Sequence, residues 1–96
     1  MGRNTVPIIR IPMPAVSHPP VEVTSSCLLA IAFHEPLSYF YAQFKSSGLW
    51  YIYPGVPFTT FETLVALADS GGSVGRHFIA NVKRLYPAID INNQDA

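Results

Sequence analysis

Residues 50–57 constrain the fold more than any other stretch of this chain. Their sequence, Trp-Tyr-Ile-Tyr-Pro-Gly-Val-Pro, places an aromatic run typical of a β-strand directly before a Pro/Gly turn. Thr59 and Glu62 follow at once, and their spacing matches a capping box at the start of a helix. A strand that leads through a tight turn into a helix predicts an α+β domain.

Two upstream runs predict strands that pair with residues 49–53. The short apolar run of residues 26–33 suits a buried strand. Residues 39–45 have the period of two of a half-buried strand. One side of this strand carries Phe40, Ala42 and Phe44, and the other carries Tyr39, Tyr41, Gln43 and Lys45. Residues 46–48, Ser-Ser-Gly, suit the loop of a hairpin. We therefore predict a three-stranded antiparallel β-meander.

The C-terminal half predicts two α-helices after this meander. Apolar residues keep helical spacing to about Asp69, and two glycines, at 71 and 72, then end the first helix. Ser73 is suited to cap a second helix, and Pro87 prevents that helix from continuing far beyond Tyr86. Three apolar residues of the second helix are predicted to face inward: Phe78, Ile79 and Val82.

The chain divides into an extended N-terminal arm of residues 1–24, a domain of residues 25–87 and a polar C-terminal tail of residues 88–96. The arm contains five of the nine prolines, which block backbone donors and favour extended structure over helix. Several apolar side chains indicate that the arm lies against the domain or a neighbouring subunit, the alternative being a partly ordered tail. They are Ile8, Ile9, Ile11 and Met13.

Several short motifs occur in a fixed order along residues 25–87. They are Ser25-Ser26, Phe44 before Gly48, Tyr51-x-Tyr53, Val56-Pro57, Ser73-x-Gly75-x-x-Phe78 with Val82, and Tyr86-Pro87. This pattern resembles the KTSC domain, found at the C-terminus of some lysyl-tRNA synthetases and as a stand-alone bacterial or phage protein. The resemblance implies a small β-meander followed by two helices, suggests RNA binding, and carries over no catalytic residue. Ile79 departs from it, since similar domains often have Asn there.

Composition argues against several classes of partner. Six basic and six acidic side chains give a formal net charge of zero, whereas proteins that hold duplex DNA need a cationic surplus. The apolar run of residues 27–33 is far shorter than the roughly twenty residues of a membrane span.

Cys27, the single cysteine, fits a reducing compartment, so we expect the cytoplasm of a bacterial or phage-infected cell. The content of 49% hydrophobic and 12% charged residues predicts a homo-oligomer.

The titratable residues do not predict an enzyme. Asp69, Ser73 and His77 are spaced four apart, but the two glycines after Ser70 break the helix that would align them as acid, nucleophile and base. The histidines and Cys27 are scattered without the spacing of a metal site. We therefore expect no catalytic residue, no metal and no cofactor.

The candidate site residues are tyrosines of the strands and basic side chains of the second helix. Aromatic faces stack bases, and a few cations hold phosphates. The alternative is that the tyrosines pack in the sheet and the cations solvate a helix. The candidates are Tyr39, Tyr41, Tyr51, Tyr53, Arg76, His77, Lys83 and Arg84.

Three functions are compatible with these residues. The first is a non-enzymatic module that binds a small nucleotide-like anion, as in a phage or bacterial anti-defence protein that sequesters a nucleotide immune signal between subunits. The second is a single-stranded RNA-binding domain. The third is a protein-interaction or assembly module whose N-terminal arm pairs with the sheet edge of a partner.

Overall fold

The computed structural model describes residues 16–91. Within that range, five antiparallel strands form one sheet in which neighbours in sequence are neighbours in space. The strands are β1 (His18–Glu22), β2 (Leu28–His34), β3 (Tyr39–Phe44), β4 (Trp50–Pro54) and β5 (Ile89–Asp90). The predicted α+β class and the antiparallel meander are confirmed. The predicted number of three strands is wrong, because β1 and β5 extend the meander on both sides.

The two additional strands lie where the sequence indicated an arm and a polar tail. β1 pairs with β2, and its register shifts between His18 and Val21, where Pro19 and Pro20 interrupt the strand. Proline is tolerated there because β1 lies at the edge of the sheet formed by the described residues. β5 is two residues long and pairs with Tyr51 and Ile52 of β4. Residues 1–15 of the predicted arm and residues 92–96 of the predicted tail lie outside the described residues.

Two helices follow β4 in the described part of the chain. Helix α1 (Phe58–Ser70) begins directly after Pro57, so the predicted capping box at Thr59 is wrong. Thr59 lies inside the first turn, where its carbonyl accepts a hydrogen bond from the Thr63 hydroxyl at 2.9 Å. The predicted end at Gly71 is confirmed: Gly71 has a φ of 81°, a left-handed conformation that glycine adopts without strain.

Helix α2 (Val74–Phe78) continues directly into a π-helical segment (Ile79–Lys83). Phe78 and Val82 are fully buried, as predicted. Ile79 is 38% exposed, so its predicted inward orientation is wrong. Residues 78 and 82 lie on one face of the helix, whereas the residue after Phe78 is rotated about 100° away from that face.

The sheet has a buried cluster on each face, because successive side chains of a strand point to opposite sides. Both helices contribute to the cluster on one face, which we call the helical face. The cluster on the opposite face, the second face, contains no helix residue. The fully buried residues of the helical face include Ile31, Phe33, Phe40, Leu64, Phe78 and Val82. The buried residues of the second face are Ala30, Ala32, Tyr41, Trp50, Ile52 and Ile91.

Candidate ligand-binding pocket

A pocket of about 340 Å³ opens on the helical face, next to the hairpin that joins β3 and β4. Phe44 lies at the end of β3, and Tyr51 and Tyr53 lie on β4. The π-helical segment contributes Lys83 from the other side. The lining residues are Phe44, Ser46, Ser47, Tyr51, Tyr53, Lys83 and Ala88.

Two aromatic rings and one ammonium group set the chemistry of this pocket. The rings of Phe44 and Tyr51 meet edge to face, with centroids 5.5 Å apart and an interplanar angle of 86°. The Nζ atom of Lys83 lies 6.0 Å from the centroid of the Phe44 ring, within the range of a cation–π contact. Tyr51 is half-buried and Lys83 is exposed, so both can contact a ligand in the pocket.

Tyr53 forms the inner part of the pocket. It is 3% exposed, and its ring meets that of Phe78 edge to face at 5.6 Å. Burial raises the pKa of Tyr53, and the nearby Tyr51 and Cys27 raise it further. The phenol therefore stays protonated at neutral pH, and it places no negative charge next to a bound anion.

Tyr39 and Tyr41, also predicted to stack bases, lie on the second face of the sheet and not in the pocket. The register explains the separation: Tyr53 and Tyr51 pair with Phe40 and Ala42, and paired residues share a face. Tyr41 is 2% exposed. Burial and then the neighbouring Tyr39 raise its pKa, as expected for a packing residue.

The four predicted basic side chains do not lie together in the pocket. Lys83 lines the pocket, whereas Arg76, His77 and Arg84 are absent from its lining. Arg76 and Arg84 are exposed. His77 is half-buried, and its carbonyl accepts a hydrogen bond from the Asn81 amide at 3.0 Å. The pocket thus combines Lys83 with two of the four predicted tyrosines.

Sequence reasoning missed four of the lining residues as ligand contacts: Phe44, Ser46, Ser47 and Ala88. The sequence did contain a signal for Ser46 and Ser47, because residues 46–48 are predicted to form the loop between the second and third predicted strands. A loop of this kind places short polar side chains beside the ends of the strands that it joins. Phe44 was noted as part of the motif pattern, without a role in binding.

A second cavity, of about 480 Å³, lies elsewhere on the sheet. Glu22 is the one charged residue of its lining, so the local charge is negative and does not suit an anion. Its lining consists of Pro20, Glu22, Val23, Leu29, Ala30, Gln43 and Trp50. The pocket beside Lys83 is therefore the better candidate for a negatively charged ligand.

Within residues 16–91, no group of three or more His, Cys, Asp or Glu side chains is arranged to hold a metal ion. The glycine break between Asp69 and Ser73 is present, and Gly71 ends α1 before α2 begins. None of the helices described is both long and apolar enough to cross a membrane.

Comparison with known proteins identifies a structural relative. No family model and no curated protein matches the chain. The fold is similar to that in the crystal structure of a KTSC domain protein from Yersinia pestis, with a TM-score of 0.66 and 25% sequence identity. The similarity covers 78% of this chain and 99% of that chain. The chain has a KTSC-like fold, as the motif pattern predicted.

Proposed function

We propose that this chain is a non-enzymatic binding module for a small nucleotide-like anion, held in the pocket formed by Phe44, Tyr51 and Lys83. The observation that supports this proposal is the position of an ammonium group across from two aromatic rings in one open pocket. A base stacks on the aromatic side, and the ammonium pairs with a phosphate.

The two hydroxyls of the hairpin loop complete the proposed contacts. Ser46 and Ser47 line the pocket beside Lys83. The Oγ atom of Ser47 accepts a hydrogen bond from the backbone N–H of Leu49 at 3.2 Å. Because a hydroxyl also has one hydrogen to donate, Ser47 can still donate to a phosphate or sugar oxygen.

Pocket size and charge favour a single nucleotide over a nucleic-acid strand. The volume of about 340 Å³ lies at the lower end of the range of about 300–1,000 Å³ for small-molecule sites. An extended single-stranded nucleic acid requires a groove with several cations along the nucleic-acid backbone. Lys83 is the one cation among the lining residues of this pocket. The formal net charge of zero points in the same direction.

A second copy of the chain would complete this site. Leu85 is 63% exposed and follows Lys83 by two residues in the chain. Packing another subunit against this apolar side chain would exclude water near Lys83, which strengthens its interaction with an anion. We propose a homo-oligomer that sequesters a nucleotide signal in the cytoplasm of a bacterial or phage-infected cell.

Replacement of Tyr51 tests the stacking contact. Nucleoside monophosphates are expected to raise the melting temperature of the protein more than inorganic phosphate does, because the base adds a stacking contact. Tyr51→Leu removes the ring and is expected to weaken nucleotide affinity about 5- to 150-fold, the equivalent of 1–3 kcal/mol of base stacking. Tyr51→Phe keeps the ring and serves as the matched control. Thermal shift and isothermal titration calorimetry measure both effects.

Two results would contradict this function. The first is that nucleotides at millimolar concentration leave the melting temperature of the wild-type protein unchanged. The second is that short single-stranded RNAs bind with strongly salt-dependent affinity while mononucleotides do not, which would favour the RNA-binding alternative.

A further inference from the structure

The charges around the pocket decide which form of phosphate it can hold. Within residues 16–91, Lys83 is the one cation of the lining, and the other lining side chains are aromatic, hydroxyl or alanine groups. Burial, followed by the nearby Tyr51 and Cys27, raises the pKa of Tyr53, so this phenol stays neutral. The lining that one chain provides therefore pairs with a single negative charge.

Two neighbouring basic residues do not add to this count. Lys45, in the hairpin between β3 and β4, is absent from the lining. Its Nζ atom donates a hydrogen bond to the carbonyl of Ser25 at 3.3 Å. Arg84 follows Lys83 in the chain, is exposed and is likewise absent from the lining. A ligand in the pocket thus contacts one ammonium group.

Asp90 brings a negative charge to the same face of the sheet. It pairs with Tyr51 in the register of β4 and β5, and paired residues point to one side of a sheet with Cβ atoms about 4.5–5.5 Å apart. Asp90 therefore shares the helical face with Tyr51, which lines the pocket. The side chain of Asp90 is exposed. Its carboxylate repels any negative charge of a ligand that Lys83 does not pair.

We propose that the pocket prefers a phosphodiester, which carries one negative charge, over a phosphomonoester, an inference that rests on the proposed nucleotide site. A phosphomonoester has a second pKa of about 6 and carries a charge of about −1.5 to −2 at neutral pH. Lys83 pairs with one of these charges, and the other lies on the face that carries Asp90, with no second cation in the described lining. A phosphate that is esterified twice has no second charge. The ligand class is then a nucleotide whose phosphate forms two ester bonds.

Isothermal titration calorimetry compares adenosine monophosphate with its methyl ester, which has the same base and sugar but a single negative charge. At about pH 8 the monophosphate is a dianion, and the methyl ester is expected to bind about 2- to 5-fold more tightly, the effect of one exposed charge pair. At about pH 5 the monophosphate is mostly a monoanion, and the two affinities are expected to be equal. The phosphate of the methyl ester does not titrate between these pH values, so the ester controls for protonation of protein groups.

Asp90→Asn tests whether this carboxylate contributes to the preference. The variant is expected to raise the affinity for adenosine monophosphate at about pH 8 more than the affinity for the methyl ester, because the carboxylate repels the dianion more strongly. Asp69→Asn is the matched control, since it changes the net charge equally. Asp69 lies near the end of α1, is exposed and is absent from the pocket lining. This control is expected to leave the ratio of the two affinities unchanged.

The results separate this proposal from the nucleotide site on which it rests. The proposal would be overturned if adenosine monophosphate, relative to its methyl ester, bound as well or better at about pH 8 than at about pH 5. An unchanged ratio of the two affinities in Asp90→Asn would overturn it as well. In both cases the nucleotide site itself would stand. If neither compound binds, the proposed nucleotide function fails and this proposal fails with it.

Discussion

Replacing Phe78 by alanine is expected to lower the free energy of unfolding by about 3–5 kcal/mol, the usual cost of removing a buried phenylalanine. Phe78 is fully buried, and its ring contacts three rings of the sheet. Its centroid lies 6.0 Å from that of Phe40, 5.8 Å from that of Phe44 and 5.6 Å from that of Tyr53. Because native domains have a total stability of about 5–15 kcal/mol, a loss of this size is a large part of the stability. Urea denaturation followed by circular dichroism measures the change.

Ile79→Ala is the matched control for Phe78→Ala. Ile79 follows Phe78 in the chain and is 38% exposed, so its truncation is expected to cost less than about 1 kcal/mol. Equal losses for the two variants would show that α2 does not pack on the sheet through Phe78. Such a result would also leave the inner wall of the ligand pocket without its support, since Tyr53 contacts the same ring.

Reversal of the charge at Lys83 is expected to have the largest effect on ligand affinity. Lys83→Glu removes an interaction worth about 1.5–3 kcal/mol for a charged hydrogen bond, and it adds repulsion between two negative groups. We expect nucleotide affinity to fall at least about 100-fold. Isothermal titration calorimetry at low ionic strength gives the dissociation constants.

Arg84→Glu provides the control for Lys83→Glu. Arg84 is the next residue, carries the same charge and is exposed, but it is absent from the pocket lining. Arg84→Glu changes the net charge of the protein by the same amount as Lys83→Glu does. The control therefore accounts for any effect of overall charge on affinity. An equal loss of affinity in both variants would mean that the ligand senses overall charge and does not bind at Lys83.

Local sequence signals predicted the central part of the fold and failed at its edges. The alternation along residues 39–45 and the glycines after Ser70 were sufficient to identify β3 and the end of α1, because both signals act over a few neighbouring residues. β1 was missed because Pro19 and Pro20 lie within it, and β5 because it is two residues long. Both strands are stabilised by pairing with a neighbouring strand, a contact that their own composition does not reveal.

The sequence predicted only part of the candidate site. It indicated which residue types could bind a ligand, but not which of those residues lie on the same face of the sheet. Tyr51 and Tyr53 lie in the pocket, but Tyr39 and Tyr41 do not, since the pairing of β3 with β4 decides which tyrosines share a face. Arg76 and Lys83 are seven residues apart and would share one face of a regular α-helix. The π-helical segment Ile79–Lys83 changes the rotation per residue, so the two side chains do not share the pocket.

The most direct test of the proposed binding site is titration of the isotopically labelled protein with a nucleoside monophosphate, followed by NMR. We expect the largest chemical-shift changes at Phe44, Ser47, Tyr51 and Lys83, which line the pocket. Changes at Tyr41, on the opposite face of the sheet, are expected to be small. Shift changes centred on Tyr39 and Tyr41, or on Arg76 alone, would contradict the account.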